Sequence, residues 1–350
     1  MTNAARHTIP LPRCLSLLFE APDNPERRAE LADGIAAGLM PWQRILSDGA
    51  SPYFFDRIRK AGLESELPAD VRNSFQNLLI EQTGRNIVML RELDAIVAAL
   101  NKCGITPVLL KGAALLHEVY KHPGFRRLAD IDLLIRKSEM ASAASAVAAI
   151  GYMPAGGRGH HENFAAQREF PVMLELHTAL FNPDDPLQRL AFPIDAGEMT
   201  SRAIQIKTGG GVALSFRAED QFIYLACHAA KERFGSLKHV VDLYEIVKMR
   251  NINWEEIFIY IQKNKITIKI YYMVDLLIDY GIIIKLPRNR RYLALRGKTR
   301  LLQKEERRTL KGIGKLLYCL KLVEGRTRKG KALFLFIGFL IRGGRSAADV

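Results

Sequence analysis

Residues 110–134 read LKGAALLHEVYKHPGFRRLADIDLL and hold most of the side chains able to do chemistry. Asp130 and Asp132 stand two apart in an apolar run that reads as a strand over residues 130–136. Side chains alternate along a strand, so both carboxylates share one face while Ile131, Leu133 and Ile135 turn to a core. Two adjacent carboxylates repel, so either one takes a proton or a cation sits between them. An all-oxygen donor set suits Mg²⁺ or Mn²⁺, which bind through one or two carboxylates and substrate phosphates. A third carboxylate would permit a two-metal site for in-line phosphoryl chemistry. Glu175, in VMLELHTAL, is the best third candidate, because a charge flanked by apolar strand residues belongs at a site or in a pair. His177 shares its face and has the plainer option of only orienting Glu175.

Cations for phosphate lie close by. Lys111 and Gly112 end a short strand candidate at 106–110 and open a helix at 112–120. A glycine at a helix N-terminus lets backbone N–H groups approach phosphate. Arg126 and Arg127 precede the carboxylate pair and suit bidentate contact with phosphate oxygens. Each piece alone is weak, since a bare Asp-x-Asp is usually a surface turn or strand edge. An Asp-x-Asp within an apolar strand, after a strand-to-helix Lys-Gly, is more specific. Metal-dependent phosphate chemistry and an ordinary acidic strand both stay open at this level.

These residues need a mixed sheet to hold them. The first hundred residues read as helices at 25–37, 41–46, 52–62 and 68–102, the last with Gly84 as a kink point. An alanine-rich helix is expected over 138–150, with Ser138 as N-cap and Gly151 as its stop. Residues 162–168 and 172–178 read as one hairpin, and 202–207 and 212–216 as another across Gly209-Gly210-Gly211. His160 and His161 fall in a Gly-rich loop, where plain exposure is the expectation and substrate contact the alternative. Helices follow at 220–233, 237–249, 254–263 and 267–280. The fold class is therefore α+β: a helical region at 1–102, an α/β core at 103–217, a helical domain at 218–284 and a basic helical tail at 285–350.

Composition sets the outer limits. The 350 residues carry 51 Lys and Arg against 37 Asp and Glu, a net charge of +14, with 48% hydrophobic residues. That is globular composition, and it excludes a disordered chain, a collagen-like fibre and a polytopic membrane protein. Residues 285–345 hold 19 Lys and Arg against three Asp and Glu, a local balance of +16 that leaves −2 for the rest. Such a tail suits anionic partners, a membrane surface or nucleic acid, or is simply a solvated face. The apolar run 332–341 is too short to cross a bilayer as a helix, which needs about 20 residues. It fits either a packed helix or a segment resting on an anionic surface. Cys14, Cys103, Cys227 and Cys319 form no CxxC pair, which argues against a zinc ribbon, a redox motif or a disulfide framework. The N-terminus lacks the pattern of a signal peptide, its apolar run being cut by Arg13. A cytoplasmic setting is expected, with peripheral attachment at the inner face of the membrane as the variant.

The run from Leu110 to Ile135 resembles the bacterial nucleotidyltransferase-like family of the DNA polymerase β superfamily, the uncharacterised nucleotidyltransferases. Leu110, Lys111, Gly112, Tyr120, Pro123, Gly124, Arg126, Asp130 and Asp132 match its pattern. Glu175 and His177 match its acidic-Leu-His strand, and His228, Lys231 and Asp242 match its helical segment. The likeness spans about residues 75 to 250. The superfamily's Gly-Ser pair is replaced by Lys111-Gly112-Ala113, and Thr178 stands where a Trp is common. The resemblance implies transfer of a nucleoside monophosphate from an NTP to an acceptor hydroxyl, with pyrophosphate leaving. Asp130, Asp132 and Glu175 would hold Mg²⁺ or Mn²⁺, and Lys111, Gly112, Arg126, His228 and Lys231 would face the nucleotide. His228 has the plain reading of a core histidine, Lys231 of a solvated lysine, and Asp242 of a structural partner, the one favoured. The acceptor is open among a sugar, a small metabolite, an RNA end and a protein. The alternative function is a non-catalytic nucleotide- or anion-binding accessory protein, anchored through its basic tail.

Overall fold

The structure, a computed structural model, describes residues 8–281 apart from 167 and 169, and residues 321–333 apart from 326. Four helices open it: Leu11–Glu20, Pro25–Ala36, Trp42–Leu46 and Ser51–Lys60. Asn24 starts the second by accepting from the N–H groups of Glu26 and Arg27, with Pro25 fitting the first helical position. The helix Leu11–Glu20 was not expected from the sequence; five of its apolar or thiol side chains are buried in the core.

The helix Ala69–Lys102 runs 34 residues without a break. The helix is unbroken at Gly84, where an added Cβ would meet open space and the glycine costs about 1 kcal/mol relative to Ala. Its buried face is not purely apolar. Asn86, fully buried, donates to the Arg126 carbonyl at 2.7 Å and accepts from the Leu128 N–H at 3.1 Å. Gln82 donates to the Gly124 carbonyl at 2.6 Å. Two amides of one long helix thus fix the irregular segment that leads into Asp130, and each bond saves a buried polar group from standing unpaired.

Among the described residues, seven strands make one mixed sheet: β1 (Val108–Leu109), β2 (Ile131–Leu134), β3 (Tyr152–Arg158), β4 (His161–Ala166), β5 (Val172–His177), β6 (Ile204–Thr208) and β7 (Gly211–Ser215). Their order is β3-β4-β5-β2-β1-β7-β6. β2 pairs in parallel with β5 and antiparallel with β1, while β1 pairs in parallel with β7. Both expected hairpins are present, as β4–β5 and β6–β7. β3 was not expected from the sequence, and its second half lies in the Gly-rich stretch that holds His160 and His161. It pairs with β4 through a register shift between Pro154 and Gly157, which places those residues at an irregularity on the sheet edge. Ser138 does not cap the next helix. A 3₁₀ turn at Lys137–Glu139 precedes Met140–Ala148, and the Glu139 carboxylate accepts from the Arg136 N–H at 2.9 Å.

Helices Ala218–Lys231, Leu237–Met249, Trp254–Asn264 and Thr267–Asp279 complete the core. The buried apolar cluster is continuous from Cys14 through the sheet to Leu322, Val323 and Ala332. Lys269, fully buried, donates to the Leu322 carbonyl at 2.6 Å and so ties the stretch 321–333 to this layer. The rest of the basic tail, and most of the apolar run 332–341, lies outside the described residues. Among the described residues, no helix is long and apolar enough to cross a membrane.

Candidate active site

β2 and β5 build the site. Their parallel register sets Asp132 directly beside Glu175, so the two carboxylates leave the same face of neighbouring strands about 4.8 Å apart along the hydrogen-bonding direction. Asp130 lies just before β2 rather than within it, as the bend ahead of Ile131. Burial, then the charges of Asp132 and Glu175, push its carboxyl above the usual range. Burial is the chief cause, and the two nearby carboxylates add to it against the opposing charge of Lys111.

Asp132 is only 2% exposed, yet it is the best compensated of the three. Lys111 Nζ lies 2.6 Å and His177 Nε2 2.8 Å from its Oδ1. Burial opposes its charge, but Lys111 and His177 prevail and hold its carboxyl far below the usual range. The same Nε2 lies 3.2 Å from Glu175 Oε2. The His177 hydrogen bond is the chief cause that lowers the Glu175 carboxyl. Burial works against a charged His177, and the bonds to Asp132 and Glu175 outweigh it, raising its pKa. Burial likewise opposes charge on Lys111, and the Asp132 carboxylate more than offsets it, so Lys111 is a cation. Lys111 adopts a left-handed backbone, φ 45°, at the first residue of the helix Lys111–Glu118. For a residue with a Cβ that conformation costs about 1–2 kcal/mol.

Gly112 is not an open cradle. A Cβ there would land on the Arg126 guanidinium and on Leu128. Glycine is required because the arginine packs onto its Cα. Arg126, expected at phosphate, is 94% buried and committed elsewhere: Nε donates to Asp242 Oδ1 at 3.2 Å and Nη2 to Oδ2 at 3.2 Å. Its Nη1 donates to the Arg127 carbonyl at 3.1 Å, and Tyr120 donates its hydroxyl to Asp242 at 2.7 Å. The structural role favoured for Asp242 is the one seen.

His228 and Lys231 come from the helix Ala218–Lys231 and reach the site electrostatically. Burial, then the positive charge of Lys111, pushes the His228 pKa well down. Burial also lowers Lys231, which feels Lys111, Glu175 and Asp132. Tyr224, fully enclosed, is raised by burial and senses Lys111, Asp132, Glu175 and Asp130. It was missed in the sequence, although 224, 228 and 231 follow i, i+4, i+7 and so share one helix face. Lys238 was missed too; burial lowers it, and Arg126, Asp242 and Asp130 are among the charges it feels.

His160 and His161 correct the expectation of an exposed loop. They sit at the β3–β4 turn, where His160 is 7% exposed and His161 half-buried, with His161 in register opposite His177. Gly159, at φ 62°, makes the turn that a Cβ would block against Asn182. Burial, then His177, lowers His160 to about 4. A separate cavity of about 620 Å³ is lined by Arg136, Lys137, Thr178 and Ser201 among others, and by none of the three carboxylates.

The donor set fits a divalent cation. Ligand atoms of Asp132, Glu175 and His177 lie within 4.8 Å of one another, and Asp130 carries a carboxyl raised by burial and by its acidic neighbours. The imidazole is a borderline donor beside the oxygens.

A mixed sheet with converging carboxylates on adjacent strands, covered by helices on its flanks, defines a nucleotidyltransferase-like α+β fold. The family described as uncharacterised nucleotidyltransferase matches residues 42–277, more than half of the chain, and the chain belongs to it. No curated protein matches the chain. Among solved structures, an antigenic nucleotidyltransferase-like protein from Paracoccidioides brasiliensis is 16% identical, with a TM-score of 0.36 over 56% of this chain and 94% of that one. At that distance the likeness carries no argument.

Proposed function

We propose that this protein transfers a nucleoside monophosphate from an NTP to an acceptor hydroxyl. The observation that carries this reading is the register of Asp132 beside Glu175, with Asp130 immediately before β2 and feeling the charge of both. In-line transfer needs such a carboxylate set opposite cations for phosphate. The acceptor oxygen bonds to the α-phosphorus, the bond from that phosphorus to the β-phosphate bridge oxygen breaks, and pyrophosphate leaves.

Asp130, Asp132 and Glu175 would hold the Mg²⁺ or Mn²⁺. When bound, such an ion neutralises phosphate charge and polarises the reacting oxygens. Lys111 supplies fixed positive charge to the phosphate groups, and Lys231, whose charge burial disfavours, joins it opposite them. Glu175 orients the acceptor hydroxyl and takes its proton, while His177 holds the carboxylate in place. Neutral His228 and the Tyr224 hydroxyl line the nucleotide side. Gly112 and Arg126 act one layer back: the Asp242-held guanidinium packs under Gly112 and sets where the helix carrying Lys111 begins.

A second reading has its own support. Asp132 is already neutralised by Lys111 and His177, as expected of a fold that binds a nucleotide or other anion without turning it over. One experiment separates the two. Each α-labelled NTP is incubated with Mg²⁺ or Mn²⁺ in lysate of the source cells, with wild type beside an Asp130→Asn/Asp132→Asn double variant. Label on an acceptor with wild type alone supports transfer and reveals the acceptor class. No label from folded wild type with any of the four triphosphates rejects transfer in favour of binding.

A further inference from the structure

We propose that His160, His161 and His177 form a site for a zinc-class divalent transition metal, distinct from the carboxylate site and joined to it through His177. One ring nitrogen from each of the three lies within 4.8 Å of the others. The ring centroids are 4.8 Å apart for His160 and His161, 5.2 Å for His161 and His177, and 5.8 Å for His160 and His177. Ligands around a Zn²⁺ with Zn–N near 2.1 Å stand about 3.4 Å apart, so the nitrogens need to close by up to about 1.4 Å when the metal binds.

Two of these groups lack partners where partners are expected. His160 Nδ1 and His161 Nδ1 are both buried without a hydrogen bond, and the His160 side chain is more than nine-tenths buried. A buried polar nitrogen left unpaired costs about 1–3 kcal/mol. A metal ion is a partner that satisfies both at once. The positions are held from behind: Thr178 N–H donates to the His160 carbonyl at 2.8 Å, and β4–β5 pairing fixes His161 across from His177. Three imidazoles and no thiolate select Zn²⁺, Co²⁺ or Ni²⁺ over Mg²⁺.

His177 supplies the link. Its Nε2 sits on the carboxylates of Asp132 and Glu175, so Nδ1 is the nitrogen the proposed site would take. A ligating histidine whose other N–H meets a carboxylate is the usual second layer of a metal site. The metal then fixes the His177 tautomer and clamps the β3–β4 turn to β5. With three protein ligands, a fourth position stays open to water or to an anionic oxygen. The inference does not depend on nucleotidyl transfer.

The test uses full-length protein, stripped with a chelator and titrated with Co²⁺. One equivalent should bind with the visible absorption of low-coordinate Co²⁺, resist excess Mg²⁺ and be displaced by Zn²⁺. His160→Asn and, separately, His161→Gln should weaken Co²⁺ binding about tenfold or more. Asp130→Asn should keep it. A wild type without the absorption overturns the proposal whatever the variants do. So does unchanged absorption in folded His161→Gln, or its loss in Asp130→Asn.

Discussion

Lys111 Nζ meets Asp132 Oδ1 at 2.6 Å from a residue whose backbone is left-handed. On the proposed function a divalent cation would share that oxygen, and the lysine's charge would then take the metal's place when none is bound. Two consequences oppose each other. Lys111→Met leaves Asp132 with His177 alone, and losing one partner of a buried pair costs about 3–5 kcal/mol, less here because the histidine remains. It also frees Oδ1 from a competing cation. The metal-free variant should therefore unfold at lower urea, and Mn²⁺ should restore more stability to it than to wild type by binding the folded state. Urea unfolding with and without Mn²⁺ checks this. Equal gains in the two proteins would mean that Lys111 and the metal do not share Asp132.

Much of this site was legible because its signals are local. Charged residues in apolar strands stand out by alternation alone, and that exposed Asp130, Asp132 and Glu175. His228 and Lys231 were picked out by the family resemblance rather than by local chemistry, and their spacing of three says only that they share a helix face. What was not legible depends on distant partners. Arg126 looks like a phosphate ligand until Asp242, 116 positions on, is folded against it. His160 reads as exposed because Gly156, Gly157 and Gly159 run up to it. Yet β3 forms there across a register shift and buries the ring. Strand order carries no local trace either: β2 and β5 are parallel neighbours although β3 and β4 lie between them in the chain.

Arg126 and Asp242 give a second prediction. The pair is bidentate and nearly inaccessible, with side chains 7% and 1% exposed. Burial alone would suppress the guanidinium charge, and Asp242 outweighs it and raises its pKa. Asp242→Leu strands that cation in the core and should cost about 3–5 kcal/mol. Arg126→Met/Asp242→Leu removes both charges and should recover much of the loss, short of the bond that Tyr120 also gives up. Urea unfolding of the two singles and the double closes the cycle. Additive losses would show that the two side chains are not coupled and that Gly112 rests on something other than their ion pair.

His239 gives a third, in pH. Its Nδ1 is buried without a partner, its ring lies 5.7 Å from that of His228, and burial lowers it to about 4 although Asp242 pulls the other way. Lys238 and Arg126 add to the lowering, and Asp48 opposes it. The folded state thus keeps this imidazole neutral, while the unfolded chain protonates it near 6.5. The stability it contributes is complete above about pH 6.5 and is lost as pH falls towards 4, by at most about 1.4 kcal/mol per pH unit. The depressed carboxylates Asp132 and Glu175 give up stability only as pH falls through their own, lower range. His177, being raised, loses its contribution as pH rises above 6.5. The interval from pH 6.5 to 5 therefore belongs chiefly to the lowered histidines. Urea midpoints of wild type and His239→Gln across that interval isolate this one, since the other groups cancel in the difference. The variant should show the shallower fall with acid, and parallel curves would mean that His239 takes up its proton without unfolding the chain.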